Sequence, residues 1–334
     1  MARPMRLATF NLESLDLPPR SGMTLEERAR ILRPDLERLE ADIVCFQEVN
    51  GQKVEGKAGR QLVALDRLVA GTPYAQYHRA TTTRGDGVAD VHNLVTLSRF
   101  AISKVTQVRH DLVPPVAHRL LTAEPRSEAA GPISFDRPLL AVDVEVGGGR
   151  RLSIVNLHLR APLATSVPGQ KLSPFVWKSV GGWAEGYFLS SVRRTAQALE
   201  LRLLVDGMLS DDPDRLIVVA GDFNAEDHET PLKITVGAEE DTGNGALSAE
   251  SLIVLDRALP ADRRWSVLHH GRPQMLDHIL ASRALYGRFR GIEVHNEALG
   301  DEAVAYGRVA NPPGSYHAAV VAEFDFDDSD AITG

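Results

Sequence analysis

Polar side chains suited to binding a cation or moving a proton stand at the edges of short apolar runs in this 334-residue chain. Asn11 follows Leu7-Ala8-Thr9-Phe10, Glu48 follows the run 43–46, His158 follows 154–157, and Asp222 and Asn224 follow 217–221. Asp277 precedes His278-Ile279-Leu280, and His317 precedes 318–321. A strand would deliver each of them to one rim of a sheet. Hard divalent cations such as Mg²⁺ take oxygen ligands from one or two carboxylates plus water and substrate phosphate, which Glu48, Asn11 and Asp222 can supply. Zinc fits less well, because the chain has a single cysteine and no histidine pair at helical metal spacing. Asp277 and His317 form a natural carboxylate and imidazole pair, in which the carboxylate fixes the tautomer and favours the charged ring.

Taken singly these residues are unremarkable. Glu48 alone reads as a solvated carboxylate at a strand end, and Asp222-Phe223-Asn224 as a turn, since Asp and Asn suit turns through local hydrogen bonds. Their joint order promotes them. His92, His118, His228, His269, His270, His278 and His295 lack such company and are assigned structural roles, as are Arg99 and Arg137 through ion pairs or hydrogen bonds.

The elements that must position the site are legible as β-rich runs at 6–10, 43–46, 94–97, 139–146, 152–157, 216–220, 278–280 and 318–324. Thr24 and Glu27 make a capping box ahead of Leu32, Leu36 and Leu39 at helical spacing, with Pro34 marking a break or restart. Leu62, Leu65, Leu68 and Val69 mark a second helical face. Val192, Ala196, Leu199 and Leu203 mark a third, ended by Asp211-Asp212-Pro213. Gly147-Gly148-Gly149 joins two strands as a hairpin, so pairing is expected to be mainly antiparallel. Grouped strands with interspersed helices predict an α+β sandwich of two packed sheets. One domain over 1–326 and a flexible acidic tail over 327–334 are expected.

Composition bounds the function. Hydrophobic residues at 43% and charged residues at 25% describe an ordinary globular protein with a substantial core. Cys45 lies in an apolar run and cannot form an internal disulfide, which suits a reducing compartment. No segment offers the roughly 18 continuous apolar residues of a membrane span, nor a signal peptide, so a cytoplasmic protein is expected. The net charge of −8 repels a polyanion overall, although a local basic groove or bound cations reverse the sign where they stand. No protein partner is inferable.

Residues 161–190 are the most individual stretch, carrying Phe175, Trp177, Trp183, Tyr187 and Phe188 with Lys171 and Lys178 just after His158. They are expected to form a loop at the mouth. It is either a satellite hydrophobic cluster or a lid whose aromatic faces grip an organic group while its lysines lie near a phosphate. The segment 51–60, with Lys53, Lys57 and Arg60, is a second wall, read first as a solvated loop.

The ordered series T-F-N-L at 9–12, Q-E-V at 47–49, L-S-R-F at 97–100, N-L-H-L at 156–159, G-D-F-N at 221–224, L-D-H-I-L at 276–280 and S-Y-H at 315–317 resembles the endonuclease/exonuclease/phosphatase superfamily. That group includes DNase I-like nucleases, exonuclease III-like repair enzymes, inositol polyphosphate 5-phosphatases and neutral sphingomyelinases. The resemblance implies a four-layered α/β/β/α sandwich with the site at one end. It further implies that Glu48, helped by Asn11, holds Mg²⁺ or Mn²⁺, that Asp222 positions or deprotonates the attacking water, and that Asn224 orients it. His317, braced by Asp277, would stabilise a phosphate oxygen, with His158 as a second phosphate contact or leaving-group acid. The family usually has Ser-Asp-His where this chain has Ser315-Tyr316-His317, and a phenol titrating near 10 does not replace that anionic ligand. One ion is therefore expected in place of two, with Tyr316 left as a substrate contact. The implied function is hydrolysis of phosphate esters, a small organic phosphate slightly favoured over nucleic acid. The alternatives are an endo- or exonuclease, and a binding protein that has lost turnover.

Overall fold

The computed structural model describes residues 3–18, 23–135, 137–302 and 314–326, so the expected acidic tail lies outside the described residues. The first six-stranded sheet contains β1 (Met5–Leu15), β2 (Ile43–Val49), β3 (His78–Thr81), β4 (Asn93–Ser98), β11 (Phe289–Val294) and β12 (Val320–Phe324), in the order β11-β12-β1-β2-β4-β3. The second contains β5 (Ile102–Val108), β6 (Leu139–Val146), β7 (Arg150–His158), β8 (Leu216–Asp222), β9 (Ile253–Val254) and β10 (Asp277–Ala281), in the order β9-β10-β8-β7-β6-β5. Each has one parallel pair at its centre, β1 with β2 and β7 with β8, and antiparallel neighbours outside it. The glycine hairpin joins β6 to β7, with Gly148 and Gly149 at positive φ, as the tight reversal requires.

Period-2 alternation divides the apolar side chains among three interfaces. Leu7, Ile43, Cys45, Leu152, Ile154, Val218, Ala220, Ile279 and Val320 fill the space between the sheets. Burial there pushes the Cys45 thiol up to about 12, so it behaves as a small hydrophobe. Ala8, Phe10, Val44 and Phe46 face the helices α1 (Leu25–Leu39) and α2 (Val63–Val69) on one outer surface. Val155, Leu157, Val219 and Leu280 face α3 (Val180–Asp211) and α4 (Thr230–Val236) on the other. The four-layered α+β sandwich expected from the sequence is thus the observed fold.

The capping box forms as read: the Glu27 amide donates to Thr24 Oγ1 at 3.2 Å and the Thr24 amide to Glu27 Oε2 at 2.7 Å. Three local expectations are corrected. Pro34 neither breaks nor restarts α1, because it sits on the exposed face, where water can satisfy the carbonyl that it leaves unpaired. In α3 the inward stripe is Gln197, Ala198, Leu201, Val205 and Leu209, while Leu199 and Leu203 of the expected face are exposed and Val192 and Ala196 are half-buried. The mouth loop is a loop only in part: residues 180–190 are the opening turns of α3, preceded by a two-stranded ribbon, Lys171–Ser173 with Val176–Trp177. Among the described residues no helix is long and apolar enough to cross a membrane.

Candidate active site

Toward one end of the sandwich the inward-facing series change from apolar to polar together. Leu7 and Thr9 give way to Asn11, Cys45 to Gln47, Ile154 to Asn156 and His158, Ala220 to Asp222, and, running the other way, Ile279 to Asp277. The carboxyl ends of the parallel strands and the amino ends of their antiparallel neighbours meet here. Register does the rest: Asp222 lies directly between His158 and Asp277, and Asn11 lies opposite Gln47.

Asp222 Oδ2 accepts from Asn11 Nδ2 at 3.0 Å and Asn224 Nδ2 at 3.2 Å, with His158 Nε2 also at 3.2 Å, and Oδ1 accepts the Asn224 amide at 2.8 Å. Burial would raise this carboxyl, but His158, His317 and the Asn224 amide override it and hold Asp222 far below the usual carboxylate range. Asn224 has φ +48, which its own bonds to Asp222 and to the Leu159 carbonyl at 3.1 Å support.

Asp277 Oδ2 lies 2.7 Å from His317 Nδ1 and accepts from Ser266 Oγ at 2.7 Å, while the Ser266 oxygen accepts the Leu276 and Asp277 amides. Burial raises the Asp277 carboxyl, against the pull of His317. Desolvation would lower His317, yet the charges of Asp277 and Asp222 raise it well above its ordinary value and favour the charged ring. Ser315 accounts for the first position of S-Y-H: its hydroxyl donates to the Asn11 carbonyl at 2.7 Å and accepts the His317 amide at 3.0 Å.

Glu48 occupies a register shift on β2 at φ +58, which turns it to the site although its neighbour Gln47 also points between the sheets. Its Oε2 accepts from the Ser14 amide at 2.9 Å and Ser14 Oγ at 3.2 Å. Its Oε1 faces His158 Nε2 at 3.8 Å and His92 Nδ1 at 3.9 Å. Burial would raise Glu48, but His158, His92, Arg137 and His317 bring it below the ordinary range. Two sets of donor atoms lie close enough to share a cation: Asp222 with Asp277 and His317, and Glu48 with His92 and His158. These carboxylate oxygens and imidazole nitrogens fit a divalent ion and include no thiolate, while the Asn11 amide oxygen accepts the Glu13 amide at 2.9 Å.

All seven residues named from the sequence, Asn11, Glu48, His158, Asp222, Asn224, Asp277 and His317, come together. Tyr316 has a buried side chain lying against Gly300, and its amide donates to Glu13 Oε2 at 2.6 Å, so Glu13 brings a carboxylate next to the position where the aspartate is missing. Among the described residues no hydrogen bond or ion pair joins Trp177, Trp183, Tyr187, Lys171 or Lys178 to this cluster. Lys171 Nζ sits 3.9 Å over the Trp177 ring, Lys178 pairs with Glu124, and Trp183 stacks on Tyr187. His278 is structural, as assigned, held between Asp256 and the Ala225 carbonyl. His92 stands beside Glu48, with Nδ1 3.9 Å from Oε1. Sequence reading also missed Ser14, Ser266 and Glu13. Glu13 alone left a trace, two residues beyond Asn11.

A profile of the "Endonuclease/Exonuclease/phosphatase family" matches residues 8–317. No curated protein matches the chain by sequence. Similar solved structures include an endonuclease/exonuclease/phosphatase from Bacteroides vulgatus, at 17% identity and TM-score 0.57, covering 98% of this chain and 100% of that one. The human Nocturnin catalytic domain with bound sulfate is 18% identical with TM-score 0.51, covering 97% and 95%. An AP endonuclease from Archaeoglobus fulgidus is 16% identical with TM-score 0.51, covering 96% and 99%. With the profile covering residues 8–317, and with them all seven residues named at the polar end, the chain belongs to the endonuclease/exonuclease/phosphatase family.

Proposed function

We propose that the protein is a divalent-metal-dependent hydrolase of phosphate esters, acting by in-line attack of water. The observation that carries this is the convergence on Asp222 of two amides and an imidazole drawn from both sheets, beside the cationic His317. Glu48, helped by Asn11, would hold the ion. When bound, a divalent ion supplies Lewis-acid neutralisation of phosphoryl charge.

Asp222, held ionised, is suited to accepting a hydrogen bond from the attacking water and aligning it, with Asn224 and Asn11 fixing the carboxylate's rotamer. The protonated His317 ring, locked through Nδ1 to Asp277, offers its other N–H to a phosphoryl oxygen. His158 is the second phosphate contact or the acid for the leaving group. A small or medium organic phosphate is favoured over nucleic acid by the net charge of −8. Lys171 and Lys178, engaged elsewhere, do not add to that reading.

The test is a panel of nucleic acids, nucleotides, bis-p-nitrophenyl phosphate and sugar or lipid phosphates, run with Mg²⁺, Mn²⁺ and EDTA. Glu48→Ala, Asp222→Asn and His317→Ala should each lower turnover by about 10²-fold or more while remaining folded. Full activity in all three would remove the assignment. Steep salt dependence of nucleic-acid binding would favour the nuclease alternative. Absence of hydrolysis throughout would favour a binding protein.

A further inference from the structure

The Glu48 side of the site is richer in nitrogen than oxygen-based Mg²⁺ chemistry requires. His92 stands at φ +59, in the left-handed region that few non-glycine residues adopt. The turn that imposes it is fastened at several points. Asn93 Nδ2 donates to the Val49 and Ala89 carbonyls at 2.8 Å each, the Ala89 amide returns a bond to Asn93 Oδ1 at 2.7 Å, and the His92 amide donates to Asn50 Oδ1 at 3.1 Å. Because Asn93 is the cross-strand partner of Val49, this turn lies directly beside the Glu48 bulge. Two left-handed residues on adjacent strands therefore present Glu48 and His92 to the same space, with His158 arriving from the other sheet. Strain held by so many bonds at a site rim points to a function for the side chain it displays.

The spacing fits a shared cation. Glu48 Oε1 is 3.8 Å from His158 Nε2 and 3.9 Å from His92 Nδ1, beyond hydrogen-bond range. Two donors each about 2.1 Å from a common ion are separated by roughly 3.0–4.2 Å, and both distances fall within that interval. The set is one carboxylate oxygen and two imidazole nitrogens. Imidazole suits the later first-row ions, whereas Mg²⁺ favours carboxylate, carbonyl and water.

We infer that Glu48, His92 and His158 form a nitrogen-rich cation site that selects a borderline transition ion, Mn²⁺, Co²⁺ or Zn²⁺, over Mg²⁺. This rests on the proposal that Glu48 is the cation-holding carboxylate; it adds His92 as a ligand and, because His158 Nε2 would then give its lone pair to the ion and no longer a proton to Asp222 at 3.2 Å, it takes His158 out of the phosphate-contact or leaving-group role while the ion is bound. The probe is Co²⁺, added to chelator-stripped full-length protein and followed by its visible d–d absorption, with Mg²⁺ as competitor. About one equivalent should bind with a nitrogen-ligated spectrum and resist at least a roughly 100-fold excess of Mg²⁺. His92→Gly, which tolerates the left-handed backbone, and His92→Gln should each weaken Co²⁺ binding about tenfold or more, with Mg²⁺ affinity changed less than about twofold.

Equal Co²⁺ affinity in wild type and both variants would overturn the inference, as would displacement by equimolar Mg²⁺. Hydrolysis assayed in parallel separates the two proposals. His92-dependent Co²⁺ binding without hydrolysis of any ester sinks the enzymatic proposal and leaves this one standing. Mg²⁺-supported hydrolysis with Co²⁺ binding indifferent to His92 does the reverse.

Discussion

At the scale of single residues, the polar end is governed by charges kept from water. His317 carries its proton because Asp277 and Asp222 outweigh the burial that would remove it. For a histidine raised in the folded state, the stabilisation is complete below its unfolded value near 6.5 and is lost as pH rises through the folded value. The alkaline limb of kcat/KM should therefore lie well above 6.5 in the wild type. In Asp277→Asn, which removes one of the charges opposing burial and leaves Asp222, it should move to lower pH, with kcat down about 10²- to 10⁴-fold. A pH–rate profile checks both, and an unmoved limb would dissociate His317 from the titration. The seven residues that converge here were legible in the sequence because each follows or precedes an apolar run. Their supports were not: Ser14 and Ser266 act through single hydroxyls in turns, and His92 carries no pattern until its backbone is seen.

At the scale of elements, the inner strands of both sheets and the body and end of α3 were legible, whereas the edge strands β3, β5, β9 and β11 and the opening turns of α3 were not. The inner strands announce themselves as continuous apolar runs buried on both faces, whereas α3 buries Arg194, Gln197, Glu200 and Arg202 along with its apolar stripe, so hydrophobicity misplaced its inner face and hid its first turns. Those turns are anchored by Glu185, which accepts the Leu121 amide at 2.7 Å, the Thr122 amide at 2.8 Å and Thr122 Oγ1 at 2.6 Å, and lies 2.9 Å from His118 Nε2. Burial would raise this carboxyl, but those hydrogen bonds lower it to about 2. A depressed carboxyl stabilises above its unfolded value and ceases to as pH falls toward the folded one. Tryptophan fluorescence from the 171–190 region should change between pH about 4 and 2 in the wild type, and this step should be absent in Glu185→Gln, whose amide does not titrate. Identical acid profiles would count against this anchor.

Glycine matters at one strand position above all. A Cβ on Gly221, at φ +154, would meet the Leu157 carbonyl oxygen at 2.1 Å, inside the parallel pairing that aligns Asp222 with His158. Gly221→Ala should cost on the order of 3–5 kcal/mol and reduce turnover even where the variant folds, readable by urea unfolding and assay.

At the scale of the whole molecule, the two sheets are joined by polar groups as well as by their apolar core. Asn156 Nδ2 donates across the interface to the Phe46 and Val95 carbonyls at 3.2 and 3.1 Å, and its Oδ1 accepts from Gln47 Nε2 at 2.8 Å. Asn156→Ala strands these partners and should lower stability by about 2–4 kcal/mol, seen as a reduced urea midpoint at unchanged slope. The four-layer arrangement was readable from grouped strands and a glycine hairpin. The repeated ladder, a parallel pair flanked by antiparallel strands in both sheets, was not, because direction of pairing leaves no mark on hydropathy. That duplicated ladder has a further result. Asn11, Glu48 and His317 ride on or beside one half, and His158, Asp222 and Asp277 on the other, so neither half holds a working set of groups. Any slippage of the halves dismantles the chemistry at once, and catalytic output becomes a gauge of their alignment, fading before the helical signal does.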